Sequence, residues 1–264
     1  MRKYWAIAKA SLQNAWIYRA DSLLWGTGEL ISTLALLLIW TKIFGPKQAI
    51  AGFNLPETVT YLIGVGLIAN FIDTWVQYDL ERDVQSGHLS VMLIRPVNYF
   101  FARLSTNFAE KPIRVFVRVV VYLAIALIFR NKFIVNQNLI SIFLCLLSIL
   151  FALFISFLVN FILGCAAFWT IRTRGIFGAF RPLFSIFSGG YGPLAFFPLW
   201  FQKIAYFLPF AYTRYFPMLI YLRKISGGEI LKGFLVQSFW IAILCLISKY
   251  FWQKGLKRYE GVGI

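Results

Sequence analysis

The chain has 264 residues, 60% hydrophobic and 14% charged, where soluble domains carry about a quarter charged residues. So much apolar surface, 28 phenylalanines included, exceeds what one small core hides and excludes an ordinary soluble domain. The formal net charge of +16 reads as topology-setting Lys and Arg in cytoplasmic loops, so no nucleic acid is expected as a partner.

In chain order, Arg2 and Lys3 would suit the basic start of a secretory signal. Lys9, Gln13, Asn14 and Arg19 interrupt any apolar core behind them, so no cleavable signal is expected. Tyr4, Ala8, Leu12, Ala15 and Trp16 recur at helical spacing. They predict an amphipathic interfacial helix over 1–20, lying on the cytoplasmic membrane surface with Trp5 and Trp16 at headgroup level.

A helical span needs about 20 apolar residues. The first is expected over 22–44, ended by Gly45-Pro46. The second runs over 58–80, started by Asn54, Pro56 and Glu57 as a cap, an early proline and an acid in the first turn. Further spans are expected over 112–129, 139–169, 175–194 and 231–252. Between the last two, Gly189, Gly190, Gly192, Pro193, Pro198, Pro209 and Pro217 interrupt a segment crowded with aromatics. A continuous helix would not tolerate them, so 195–222 is read as short re-entrant helices on the extracellular side with an interfacial aromatic belt. The fold class expected is therefore an all-α membrane protein with six transmembrane helices, forming a single transmembrane domain over 1–264. Arg2, Lys3, Lys9, Arg19, Arg82, Arg95, Arg103, Lys111, Arg114, Arg172, Arg174 and the C-terminal Lys249, Lys254, Lys257 and Arg258 outnumber the basic residues of the opposite side. That bias places both termini in the cytoplasm.

Chemical motifs are mostly absent. No Gly-Lys dipeptide occurs, which rules out a P-loop and leaves the chain without a nucleotide site of its own. Gly64-Val65-Gly66-Leu67-Ile68-Ala69 matches G-x-G-x-x-A. It lies inside a span with no strand before it, so it reads as close helix packing. Cys145, Cys165 and Cys245 lie apart in apolar runs, and His88 is the single histidine, so neither a disulfide framework nor a metal site is expected. Among the few ionisable residues inside spans, Glu29, Asp73, Arg118 and Arg181 are the candidates for a role there. Structural pairing, with Glu29 meeting Arg118 or Arg181, is weighed against a role along a substrate path.

The most informative polar stretch follows the second span and fills a cytoplasmic loop over 81–111. It mixes acids and bases, then gives the apolar run Val91 to Ile94, then the break Arg95-Pro96. Its length and charge suit the docking of a soluble partner. The pattern Val84-x-x-Gly87-x-Leu89-x-x-x-Leu93-x-Arg95-Pro96-Val97 resembles the cytoplasmic loop of type-2 ABC exporter permeases, in the branch of about 260 residues. The basic N-terminal helix, the broken aromatic segment and the ending Gly255-Leu-Lys-Arg-Tyr259-Glu-x-x-Gly263 also fit that family. The resemblance implies a dimeric substrate pathway, made with an identical or related second permease subunit in a bacterial inner membrane. It also implies a separate ABC ATPase subunit that binds ATP, so no cofactor is expected here. Carried over, Glu81, Arg82, Asp83, Gly87, Leu93, Arg95 and Pro96 become the coupling surface, and export becomes the direction. A secondary transporter, an intramembrane enzyme and a non-transporting scaffold are the competing classes. The first lacks a paired second broken region, and the second lacks convergent catalytic groups.

Overall fold

The computed structural model describes residues 2–17 and 19–259; among side chains, those of Arg2, 14–27, Glu29, Leu30, Ile113, Arg114 and Val117 are left out. Among the described residues every regular element is a helix. In order these are α1 (Arg2–Ile17), α2 (Arg19–Phe44), α3 (Leu55–Ile72), α4 (Val76–Gln85), α5 (His88–Ile94), α6 (Tyr99–Ile128), α7 (Leu139–Cys165), α8 (Thr173–Phe187), α9 (Leu199–Phe207), α10 (Tyr215–Tyr221) and α11 (Gly227–Arg258). Leu55–Gln85, Leu139–Phe168 and Gly227–Arg258 are long and apolar enough to cross a membrane; Ile31–Phe44 and Arg118–Ile128 are shorter apolar stretches.

α3 starts where its sequence says it should. Asn54 Oδ1 accepts from the Glu57 amide at 2.8 Å, and a Glu57 carboxylate oxygen accepts from the Asn54 amide at 2.8 Å. This reciprocal cap satisfies orphan donors of the first turn. The same carboxylate pairs with Lys224 at 2.6 Å, which ties the α2–α3 turn to the segment before α11.

α3 and α4 form the interior rod. Of their apolar stretch 61% is buried, against 17% for α11, so the rest of the chain leaves most of α11 uncovered. Around α3 the core gathers Leu37, Tyr61, Ile63, Val65, Tyr122, Leu153 and Met218. The buried Tyr61 hydroxyl donates to the Gly189 carbonyl at 2.8 Å. Gly64 and Gly66 are packing notches, as the sequence implied. Side chains rather than backbones fill them: Met218 of α10 lies against Gly64 and Tyr122 of α6 against Gly66.

Several boundaries differ from the sequence reading. The second span is not one helix over 58–80. It stops at Ile72, runs extended at Asp73, and resumes at Val76. Lys111 and Asn107 of α6 supply the cause: Lys111 Nζ donates to the Asp73 carbonyl, and Asn107 Nδ2 donates to Thr74 Oγ1 at 2.6 Å. The expected loop over 81–111 is helical for most of its length, being the end of α4, all of α5 and the first half of α6. Pro112 lies inside α6 instead of starting a span. α1 lies along that first half of α6. Tyr4 packs edge-on to Phe101, and Ser11 Oγ donates to Thr106 Oγ1 at 3.3 Å. The interfacial helix thus has protein on one face. α8 ends at Phe187, and a turn through Gly189, at φ +78°, replaces the expected last residues of the fifth span. α9, α10 and two 3-10 turns divide the aromatic segment, as its breakers require.

The 32 residues of α11 rise about 48 Å, well beyond the roughly 30 Å of hydrocarbon. Its C-terminal end reaches the α4–α5 corner. Gly255 makes that contact close: a Cβ there would meet the Phe168 ring. Gly255→Leu is expected to lower stability by about 1–3 kcal/mol through overpacking. Gly228→Ala, with open space in front of it, is expected to stay within about 0.5 kcal/mol. Thermal unfolding in detergent followed by tryptophan fluorescence checks both; equal midpoints would reject the packing role of Gly255.

Candidate functional site

Two features carry functional chemistry, the corner around α5 and a cavity along α3 and α8. At the corner, α4 ends at Gln85 and Gly87 takes φ +74° as the residue before α5, a left-handed conformation that glycine adopts without steric cost. Ser90 Oγ meets the Tyr259 hydroxyl at 3.1 Å, and Leu89 is fully buried, so α5 is seated on α4 and the end of α11. Val91 is 47%, Leu93 43% and Ile94 85% exposed. This short helix therefore presents an apolar knob. Arg82 of α4, and Arg95 and Pro96 directly after α5, are exposed as well. From α1, Lys3 donates to the Pro96 carbonyl at 3.4 Å, and the Tyr4 hydroxyl accepts from the Asn98 amide at 3.1 Å.

The sequence reading placed Glu81 and Asp83 on the coupling surface; the structure turns both inward. Asp83, buried, accepts from Arg103 and from the Tyr99 hydroxyl at 2.7 Å. Burial pushes the Tyr99 phenol upward in pKa, with the Arg103 charge acting the other way, so Tyr99 stays protonated and donates. Tyr99 also stacks on Trp252 of α11, with ring centroids 5.0 Å apart. Glu81 accepts from the Thr173 hydroxyl at the start of α8, and Arg174 stands 3.9 Å from it. These carboxylates fasten α4 to α6 and α8. Of the predicted set, Arg82, Leu93, Arg95 and Pro96 are outward and Gly87 makes the turn. Tyr99, Arg103 and Thr173 were missed because nothing local marks them as partners of α4. Val91 and Ile94 were visible as an apolar run.

The intramembrane ionisable residues are dispersed. Arg118 donates to Asn70 Oδ1 between α6 and α3. Arg181 stands over the Trp75 ring, 5.9 Å from its centroid. Asp73 lies at the α3–α4 interruption, and its carbonyl takes the Lys111 ammonium. The Glu29 side chain lies outside the described residues.

The cavity, about 290 Å³, runs between α2, α3, α7 and α8. Along the rod it extends from Leu62 to Tyr78. Trp75, Tyr78 and Phe177 line its end beside α4, with Tyr191 and Arg214 also in its wall. Arg214 donates to Ser185 Oγ at 3.4 Å and stands 5.3 Å from the Phe184 ring centroid. Among the described residues no cluster of His, Cys, Asp and Glu could hold a metal ion.

The family model described as ABC-2 family transporter protein matches residues 30–263. The chain belongs to the ABC-2 transporter family. It is a multi-pass membrane protein with a permease role, and permeases of this family generally work with an ATPase subunit. No curated protein matches the permease. The family match spans both the corner and the cavity, since it covers everything from α3 through α11.

Removing one member of the buried Asp83–Arg103 pair strands the other charge. Asp83→Ala is expected to destabilise the permease by about 3–5 kcal/mol. Arg82→Ala breaks an ion pair with Asp79 in which the arginine is 68% exposed and is expected to cost less than about 1 kcal/mol. Unfolding midpoints in detergent check the contrast. An Asp83 variant as stable as the wild type would mean that the corner is held by other contacts.

Proposed function

We propose that this permease is the membrane-spanning subunit of an ATP-driven exporter, forms its substrate pathway as a dimer, and receives a separate ABC ATPase on the outward face of α5 with α1 beside it. The carrying observation is the apolar knob of Val91, Leu93 and Ile94, set on a seated helix and followed directly by the exposed Arg95. An exposed apolar cluster with a charge beside it suits a groove on a soluble partner: the apolar part gives affinity and the charge gives register.

The path from that knob to the cavity is short and covalent. α5 turns into α4 at Gly87, α4 leads back to Asp73–Trp75, and Trp75, Gln77 and Tyr78 line the cavity. Closure of the ATPase would push α5, and α4 would pivot at the interruption. The second span then acts as a jointed lever instead of the straight one the sequence reading implied. The ATP stays on the partner, and this chain contributes no hydrolytic group. Both termini, in this reading, face the cytoplasm of a bacterial inner membrane, with α9 and α10 on the opposite side as a re-entrant segment. For the second permease copy, support comes from α8. Its outward side carries Gly175 and Gly178, each with open space in front, and small residues let helices approach closely in lipid.

Affinity purification in mild detergent from the native host is the test. An ABC ATPase is expected to co-purify. Ile94→Asp and Arg95→Glu are each expected to lower its recovery at least about ten-fold, the scale of a lost interface anchor, with the permease itself still folded. Deletion of 1–17 is expected to weaken recovery as well, since α1 braces Pro96 and Asn98. Full recovery in all three variants would place the docking surface elsewhere. The lack of any ATPase across several detergents would overturn the exporter reading.

A further inference from the structure

The cavity wall contains an amide oxygen with no hydrogen-bond partner inside the chain. Gln77 is 8% exposed, and its Oε1 is buried without a hydrogen-bond partner. Buried polar atoms nearly always have partners, so an orphaned acceptor in a cavity wall points to something brought from outside. A second amide stands close by. A Cβ on Gly164 would lie 3.0 Å from the Gln77 Cα, so α4 touches α7 there, and Asn160 lies one turn away on α7. Asn160 spends an amide N–H on the Ser156 carbonyl at 2.8 Å, which leaves its carbonyl oxygen to accept. Both amides line the same cavity.

Beyond this pair the wall turns aromatic, through Tyr78, Phe177, Phe180 and Phe184. Among the described lining residues the charges are two guanidiniums, Arg181 and Arg214, and one carboxylate, Asp73, so the wall offers little to a cation. The volume, about 290 Å³, sits at the lower edge of the roughly 300–1,000 Å³ of small-molecule sites. That size excludes a folded protein or a polymer coil and admits one headgroup with part of a tail.

We propose that this cavity binds a small uncharged amphiphile, whose hydroxyl or amide N–H groups donate to Gln77 and Asn160 while its apolar body lies along the α8 aromatics. This assignment rests on the permease reading for its role as cargo, but not for binding itself.

The test uses the full chain in phosphatidylcholine nanodiscs with no ATPase present. The probe is an octyl glucoside carrying a diazirine in its chain, with photolabelled residues mapped by mass spectrometry. Label is expected on Phe177–Ser185 and around Trp75, and unlabelled octyl glucoside is expected to displace it at least about five-fold better than octyltrimethylammonium does. Gln77→Leu and Asn160→Leu are each expected to cut cavity labelling by about three- to ten-fold, the worth of one hydrogen bond, while labelling of the outward face of α11 stays unchanged as a check on folding. Label confined to α11, or equal displacement by the cation, would overturn the site. Labelling indifferent to both substitutions would mean that water alone satisfies the amides, which overturns it too. Co-purification of an ATPase with no cavity label would sink this site and leave the exporter reading standing; cavity label with no ATPase would do the reverse.

Discussion

The fold hangs on how a broken helix is satisfied away from water. A helix that stops at Ile72 exposes carbonyls at its end, and in an apolar interior each must find a donor. Here the donor is the Lys111 ammonium, which reaches the Asp73 carbonyl while Asn107 holds Thr74. A cation at a helix C-terminus is also favoured by the helix dipole. One turn further into α3, Arg118 donates to the Asn70 side-chain oxygen Oδ1, and Asn70 Nδ2 in turn donates to the Gly66 carbonyl at 2.7 Å. A ladder of polar contacts from α6 thus runs along α3 up to its end. Without it the chain would do better to continue one straight helix. The expense of burying Lys111 and Arg118 makes sense only if the interruption itself is needed.

That ladder explains which features the sequence revealed. The Asn54–Glu57 cap, the glycine notches at Gly64 and Gly66, the Arg95-Pro96 break and the broken aromatic segment are local signals, decided by residues within one turn. The end of α3 is not local: its cause is Lys111, 38 residues onward. No pattern within 58–80 announces a stop, because hydropathy alone favours a continuous span. The same holds at the corner. Glu81 and Asp83 look like surface charges in a solvated loop, and only the arrival of Thr173, Tyr99 and Arg103 from other helices buries them. Charge along a sequence shows where polar chemistry gathers. Which charges face outward depends on helices far away in the chain, and of the candidate site only the apolar run, the glycine turn and the Arg-Pro break were readable.

The two ends of the rod are stiff for different reasons. At the α3 start, Lys224 joins Glu57 and donates to the Gly52 carbonyl at 2.8 Å, Thr60 accepts from the Ile134 amide at 2.8 Å, and Asn136 donates to the Tyr221 carbonyl at 2.6 Å. These stitch three connections into one cap. At the α4 end the Asp83–Arg103–Tyr99 cluster and the Glu81–Thr173 contact lock α4 to α6 and α8. Buried charge pairs of this kind add little net stability but strongly penalise any arrangement that separates them.

Between those two clamps the rod is interrupted at Asp73–Trp75, which is where the angle between α3 and α4 would change. Its neighbours are the cavity walls, so a change in angle between α3 and α4 changes the cavity before anything else. Gln77 sits one residue inside α4 and presses on α7 at Gly164, where a Cβ would leave no slack. Any pivot at the interruption therefore slides Gln77 along α7 relative to Asn160. The contact that would hold a ligand and the joint that would move the helix are the same few residues. A ligand bridging those two amides would favour one angle of α4, and by linkage that angle would favour the ligand. Coupling between the corner and the cavity then needs no relay through the rest of the bundle; the length of α4 is enough.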